Sequence, residues 1–558
     1  MWNITADTFL TKSEECLTYI KNNWDQIPLL NCTPDYNVSD GHLVRFCGMI
    51  QDMPDPVYYF SAYEVLNNTT GLKETKSGKY RDSLRSNPNE TLILDSENCQ
   101  NGETQLYCCI SIPGLNDWAQ PKFKESSECK INSASSSANK RSVEDMDVES
   151  SGNSADAGSN KRLCTSPSVV KTDRPQFSQQ NFPIADSKNY SCIVYVYDSV
   201  DSPLKVNDII EICGFIHFTP QTIHNDDTPP SNIPRLHAVH LMHVKSFTPF
   251  RSVDSIRGEI LNESRKLRSE LHLVLSQMLL GDSLAADYLI CHLLAHIYGR
   301  IDCTVLGKFS VNLSNIPVND DYITNLYKLL TKLLPKTHYL PMSLQTMNTT
   351  QMLPKKDYEL NRLESGMLQL SDHTHLVIDE TKLQVGKLEE TGVKNVQTLK
   401  CLIQHQKLDY DFKFFTVEFL TDIPVLILSE GKSLLPSDCH VVLKYEEDFM
   451  NNSLRDNFQA IEQYLQETLL NQLRDYLAVT ASVSDFILPD HLQQIIENDL
   501  VEQRQAGERT SAEDFHARLV LARLLSLSYG ESTLSKSVWD KTGEMEANRK
   551  LRLNIRNR

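Results

Sequence analysis

The sequence predicts a multidomain protein: a β-rich, barrel-like unit, then an α/β domain on a largely parallel sheet, then a closing set of helices. Three observations carry this reading. The chain has 558 residues, and single hydrophobic cores stop growing at roughly 250–300 residues. Up to residue 246, short runs of β-branched and aromatic residues are bounded by Asp, Pro and Gly, as strands are. Beyond residue 252, apolar runs alternate with amphipathic stretches of helical period, the pattern of parallel strands joined through helices.

Residues 1–37 are expected to be a helical segment; Asp7, Glu14 and Glu15 interrupt any apolar stretch, which argues against a signal peptide. Residues 38–122 supply strand-like runs around Leu43, Val57 and Leu106, and residues 188–246 supply others around Cys192, Ile209 and Leu236. Each half has too few strands to close alone, so the two are predicted to form one split barrel, with Gly48 and Gly214 where strands coil sharply. Between them, residues 123–187 are dominated by Ser, Asn, Asp, Glu and Lys. Such a segment cannot bury enough apolar surface to offset its ordering entropy and is expected to be disordered. It holds two basic pairs, Lys140-Arg141 and Lys161-Arg162, which fit a nuclear import signal and equally fit solvated charge. Residues 251–448 read as the α/β domain, with helical periodicity from Ile256 to Leu280 and again after Ala285. Residues 449–540 read as helices, and residues 541–558 as a charged tail expected to fray.

Composition narrows the function. The formal net charge is −18, which opposes autonomous binding to DNA phosphates and favours protein partners. No run of about 18 apolar residues suggests a membrane span. The 14 cysteines include no CxxC pair, so reduced thiols are expected and no metal site is. Tyr58, Tyr59 and Phe60 have the chemistry to stack on nucleic-acid bases, although aromatic residues of small barrels are more often core.

Three strings bear on chemistry. In Leu279-Leu280-Gly281-Asp282-Ser283-Leu284-Ala285-Ala286-Asp287-Tyr288, two apolar residues lead into Gly-Asp and then a helix; by itself this is also an ordinary helix start capped by Asp282 or Ser283. His375-Leu376-Val377-Ile378 ends in Asp379-Glu380, an apolar strand delivering one carboxylate toward Mg²⁺ and one toward an attacking water, as in a Walker B motif. Val425-Leu426-Ile427-Leu428 then runs into Ser429-Glu430-Gly431.

Taken together these strings resemble the ATPase domain of MCM replicative helicase subunits. The resemblance implies that Gly281, Asp282, Asp287 and Tyr288 are a degenerate phosphate-binding loop. Asp287 stands where that family has lysine, and Tyr288 where it has serine; both replacements oppose phosphate and Mg²⁺ binding. It further implies that Asp379 and Glu380 are a Walker B remnant, preceded by a helix over 362–370, and that Ser429 and Glu430 occupy the sensor 1 position. Residues 434–439 lack the family's arginine finger, and Ala512 stands at the sensor 2 arginine. The string Leu473-Arg474-Asp475-Tyr476-Leu477-Ala478 resembles the family's helical lid. Residues 204–214 resemble a strand of its OB barrel. Closer still, residues 49–53, 79–82, 281–288 and 429–438 resemble the family of MCM-binding proteins.

What the resemblance implies is an OB-like barrel plus an AAA+-like α/β domain with a helical lid, no catalytic residues and no cofactor. It implies a non-enzymatic nuclear protein that binds MCM helicase subunits, acts in their assembly or unloading from chromatin, and serves DNA replication and sister-chromatid cohesion. Direct sequence-specific DNA binding and membrane association are not expected. The buried or exposed acids Asp287, Asp379 and Glu380 are candidates to meet arginines of an MCM partner. The alternatives are an OB-fold scaffold for single-stranded nucleic acid and a weakly active AAA+ ATPase.

Overall fold

The computed structural model describes residues 4–31, 38–120, 182–184, 189–197, 203–218, 233–244, 253–302, 304–445, 454–505 and 512–556. The basic pairs Lys140-Arg141 and Lys161-Arg162, with nearly all of the 123–187 linker, lie outside these residues. Among the described residues, no helix is long and apolar enough to cross a membrane.

Two short helices, α1 (Ala6–Thr11) and α2 (Ser13–Asn22), open the chain. Eight strands follow: β1 (Leu43–Asp52), β2 (Val57–Asn67), β3 (Lys73–Lys76), β4 (Glu90–Ile93), β5 (Gln100–Ile110), β6 (Ser191–Val196), β7 (Ile209–His217) and β8 (Arg235–His243). They share one sheet of order β1-β7-β8-β6-β5-β2-β3, with β4 on β2. Strands from both sides of the linker are therefore direct neighbours: β5 pairs β6 antiparallel, and β1 pairs β7. Because β1 also pairs β5, the run β1-β7-β8-β6-β5 returns to its start. Alternation along β7 separates two cores. Ile210, Ile212 and Ile216 join Phe46, Val194 and Leu236, whereas Cys213 and Phe215 face Phe9 and Ile20 of the N-terminal helices. Gly214 sits at a register shift between β7 and β8, where an added Cβ would lie 2.3 Å from the His237 carbonyl oxygen; only glycine permits that approach.

The second body begins with α3 (Val253–Met278) and α4 (Ser283–Leu293), then the hairpin β9 (Gly299–Ile301) and β10 (Thr304–Leu306). It continues through β11 (Val311–Ser314), α5 (Asp320–Leu333), β12 (Thr337–Pro341), α6 (Leu344–Thr349), β13 (Lys355–Asp357), β14 (Arg362–Glu364) and β15 (His375–Asp379). After α7 (Glu390–His405) come β16 (Lys407–Asp411), β17 (Thr416–Leu420), β18 (Val425–Ser429) and β19 (Cys439–Val442). The five-stranded sheet has order β12-β15-β18-β11-β19 and is parallel throughout. Its strands are apolar on both faces because both are covered. Val377, Leu426 and Leu428 pack under α3, α4, α5 and the C-terminal helices, while Leu376, Ile378, Val425 and Ile427 pack under α6 and α7.

Five helices close the chain: α8 (Leu454–Tyr464), α9 (Glu467–Ala481), α10 (Asp490–Gln505), α11 (Ala512–Ser528) and α12 (Lys536–Arg556). Two expectations are corrected here. The tail after residue 540 does not fray as expected, since α12 runs through Arg556. Its sequence is rich in helix formers, and Glu546, Arg549 and Arg552 face inward onto partners. The stretch 362–370 is not a helix: it is β14 followed by a loop, because Leu363 is claimed by β1, its N–H donating to Asp52 Oδ2 at 2.7 Å and its carbonyl accepting from Gln51 Nε2 at 2.6 Å.

Those bonds also join the two bodies. Past β5, Gly114 accepts from the Thr337 N–H at 2.9 Å and Asn116 N–H donates to Pro335 O at 2.8 Å, so this segment covers the free edge of β12. The Trp118 indole N–H donates to the Leu334 carbonyl at 3.1 Å, at the end of α5.

Candidate functional site

In an open parallel sheet, ligands bind outside the carboxyl ends of the strands where the strand order reverses. Here the chain leaves β11 toward β12 at one edge but leaves β18 toward β19 at the other. The reversal therefore lies between β11 and β18. A phosphate site there needs a glycine-rich strand-to-helix loop with unused backbone N–H groups and a lysine. The loop from β11 to α5 is Asn315-Ile316-Pro317-Val318-Asn319, with neither glycine nor lysine. Its first two N–H groups are spent: Asn315 donates to Glu430 O and Ile316 to Ser429 O, both at 3.2 Å. The Asn315 amide donates to Leu443 O at 3.0 Å, and the Tyr445 hydroxyl donates to the Asn315 carbonyl. Asn315 takes a φ of +64°, a left-handed conformation that bends the loop back onto β18 and β19. The loop is thus tied to β18 and to the chain after β19.

The two acids after β15 are placed at this same end, and both are engaged. Asp379 is fully buried; Oδ2 accepts from the Tyr339 hydroxyl at 2.6 Å, and Oδ1 accepts from the Thr381 N–H at 3.0 Å and its hydroxyl at 2.6 Å. Glu380 Oε1 accepts from the Ser433 hydroxyl at 2.8 Å and the Leu435 N–H at 3.4 Å. Burial pushes the Glu380 carboxyl up, outweighing those donors. Ser429 ends β18 with its hydroxyl 2.9 Å from Asn312 Oδ1 and 3.0 Å from Gly431 O. Among the described residues no group of three or more His, Cys, Asp or Glu could hold a metal ion.

Gly281, Asp282, Asp287 and Tyr288 are not part of this crevice's strand-to-helix loop. The reading of them as a phosphate loop is corrected by what precedes them, which is helix α3 rather than a strand. Leu280 and Gly281 take positive φ values of 59° and 88°, and the Gly281 N–H donates to Ser276 O at 2.8 Å, an ordinary helix C-terminal closure. Asp282 caps α4 through the Ala285 N–H at 3.0 Å, and its other oxygen accepts from the Lys444 N–H at 2.9 Å and from Arg552 at 2.6 Å. Asp287 pairs with Arg268 of α3 at 2.5 Å, with His272 at 3.6 Å and Lys541 at 3.9 Å. Arg268 also donates to the Ser528 hydroxyl at 2.8 Å and lies 4.4 Å over the Tyr529 ring.

Tyr288 is fully buried, and its hydroxyl donates to Glu546 Oε1 at 2.6 Å. Burial drives the Tyr288 phenol far above its ordinary value. Burial also raises Glu546, but Arg549, at 2.7 Å, outweighs it and holds that carboxyl low. The segment is thus the seat of α12. Asp287, Asp379 and Glu380, expected to be available to a partner's arginines, are turned inward and satisfied by this chain.

Sequence reasoning passed over Arg268, Glu546, Arg549 and Arg552, whose partners lie far away in sequence, and Trp118. Arg474, on the lid-like string, lies 4.3 Å over the Trp118 ring and donates to Lys332 O at 2.8 Å. It joins the β-rich body, α5 and α9. In the β-rich body, Tyr58 is 79% exposed, while the Tyr59 ring meets Tyr197 edge-on at 4.8 Å.

The comparisons agree along the whole chain. The profile of the family described as "Mini-chromosome maintenance replisome factor" matches residues 14–553. A Drosophila melanogaster protein named mini-chromosome maintenance complex-binding protein is 37% identical over 95% of this chain and 93% of its own length. Proteins of the same name from Mus musculus and Homo sapiens are 35% and 34% identical, each over 94% of this chain and 91% of their own.

Proposed function

Because this chain belongs to the mini-chromosome maintenance replisome factor family, we propose that it binds subunits of the MCM complex and does so without hydrolysing ATP. The partner follows from what its full-length relatives are named for. The observation that supports the absence of ATP chemistry is the crevice between β11 and β18, whose loop lacks glycine and lysine and gives its first two N–H groups to Glu430 and Ser429. The inward commitment of Asp379 and Glu380 agrees with it.

On this reading the returning pairing of β1 with β5 to β8 is an OB-like barrel split by the linker. The parallel sheet is an AAA+-like domain, and α8 to α12 stand as its lid. The ATPase-like fold is kept as a shape that fits MCM subunits, a pseudo-ATPase. The protein acts in the nucleus, imported through Lys140, Arg141, Lys161 and Arg162. It serves MCM assembly or unloading from chromatin, and through them DNA replication and sister-chromatid cohesion.

The test measures ATP turnover and MCM-subunit binding on the purified chain. Turnover is expected to be absent, and binding to be equal with and without ATP. Hydrolysis lost on Glu380→Gln refutes the pseudo-ATPase reading. Failure to bind any MCM subunit refutes the partner.

A further inference from the structure

The small sheet beside α7 has order β14-β13-β16-β17, and its two edges are treated differently. The β14 edge is closed, since Leu363 gives both its N–H and its carbonyl to side chains of Asp52 and Gln51. At the other end lies β17. Its outward groups follow from the ladder. The Phe412 N–H donates to Phe415 O and the Thr421 N–H to Gln406 O, both at 3.0 Å, so these pairs face each other across the hairpin. In an antiparallel ladder, inward and outward bonding alternates. With the register Asp411↔Thr416, Asp409↔Glu418 and Lys407↔Leu420, the backbones of Thr416, Glu418 and Leu420 point away from β16. The Asp411 N–H, bonded to Pro354 O at 3.0 Å on the far side, fits the same alternation.

The bend that leads into this edge is apolar: Phe414 is 78% exposed and Phe415 57%, and Tyr358, whose ring lies 5.5 Å from that of Phe414, is 46% exposed, while Leu420, 57% exposed, stands at the far end of the strand. Exposed apolar edges invite strand addition, and proteins normally blunt or cover them. Charge then selects the occupant. Asp409 and Glu418 are exposed and directly opposite each other, with Asp411 one pair further along. Lys407 answers Glu418 at 2.8 Å and Lys413 lies 5.8 Å over the Phe414 ring, so the hairpin sets three carboxylates against two lysines and stays acidic by one charge. A second copy adding antiparallel about Glu418 would bring Glu418 toward its own like, which is unfavourable. A basic segment would not.

We propose that the edge of β17, open among the described residues, with Phe414, Phe415 and Leu420, docks an extended partner segment that adds as a strand, with apolar side chains at alternate positions and a Lys or Arg opposite Glu418. The inference rests on the MCM-binding reading and assigns such a segment to an MCM subunit. Backbone pairing supplies affinity, and the phenylalanines with Glu418 supply selectivity.

The experiment uses the full chain, purified MCM subunits as probes, and three variants: Phe414→Ala/Phe415→Ala, Glu418→Lys, and Glu418→Pro. The last removes an outward N–H while sparing the β16 ladder. All three positions are exposed, so melting temperatures serve as the folding control. Each variant is expected to weaken MCM binding about tenfold or more, as hot-spot truncations do. Hydrogen exchange at the amides of Thr416, Glu418 and Leu420 is expected to slow in the wild-type complex. Wild-type binding with all variants within about twofold, about 0.4 kcal/mol, overturns the docking edge alone. Unchanged exchange at those amides does the same, as does self-association of the wild type that the variants abolish. Failure of the wild type to bind any MCM subunit overturns the function reading and this inference with it.

Discussion

Replacing Asp287 and Tyr288 together by the lysine and serine that MCM helicase subunits carry will break the α3–α4 joint rather than create a nucleotide site. Arg268 is nearly buried, and its guanidinium is held by Asp287 at 2.5 Å. Removing one partner of a buried pair costs about 3–5 kcal/mol, because the remaining charge is left uncompensated. A lysine in its place adds repulsion, since Arg268, His272 and Lys541 already converge on that point. Loss of the buried Tyr288 ring adds a further ~3–5 kcal/mol of lost packing. The sum approaches the whole stability of an ordinary domain, about 5–15 kcal/mol. Asp287→Ala alone, at about 3–5 kcal/mol and roughly 2 °C per kcal/mol for a body of this size, lowers the melting temperature by roughly 6–10 °C. The assay is thermal melting with titration of a fluorescent ATP analogue. A doubly substituted chain that melts like the wild type and binds the analogue refutes the reasoning. The complementary variant, Arg268→Leu with Asp287→Leu, removes both charges and is expected to melt closer to the wild type than either single substitution.

Two further outcomes follow from the same geometry. Burial pushes the Asp422 carboxyl up from 3.8 to about 6, so the folded chain holds this proton more tightly than the unfolded chain does. Its contribution to stability is therefore present below about pH 4 and lost as the pH rises through 6. Asp422→Asn keeps an acceptor for the Ile297 N–H and should flatten the stability profile between pH 4 and 6, gaining up to about 3 kcal/mol above it; an unchanged slope in denaturant melts counts against this. Ending the chain at residue 540 removes Glu546, Arg549 and Arg552 from Tyr288 and Asp282. The truncated protein should be cut by trypsin at Lys444, beside β19, and at Arg268, whose partner Asp287 sits on α4, under conditions where the full chain resists, and equal resistance would show that α12 is dispensable.

Much of this architecture was legible because its signals are local. The period of the apolar residues separates the strands of 43–110 from the helices after 253, and side-chain alternation or helical period is fixed by the backbone itself. Asp379 and Ser429 were placed correctly at strand ends, since an apolar run stops where the sheet does. The family was legible from strings spread along the chain. The charge of α12 misled, because Glu546, Arg549 and Arg552 read as a solvated tail until Tyr288, His440 and Asp282 are seen opposite them.

The segment 281–288 marks the boundary between the two kinds of information. By itself the sequence determined a helix start capped by Asp282 or Ser283, and in the structure Asp282 is the cap while Gly281 before it is left-handed. A phosphate loop and a helix–helix joint share these local requirements, so no local rule separates them. What separates them is the element before Gly281 and the partners of Asp287 and Tyr288. Only the tertiary structure decided those, by bringing Arg268, Ser528 and Glu546 against α4. Burying an aspartate is favourable only when a cation is brought to it from elsewhere in the chain, and the worth of such a charge depends on distance and burial, which sequence order does not contain.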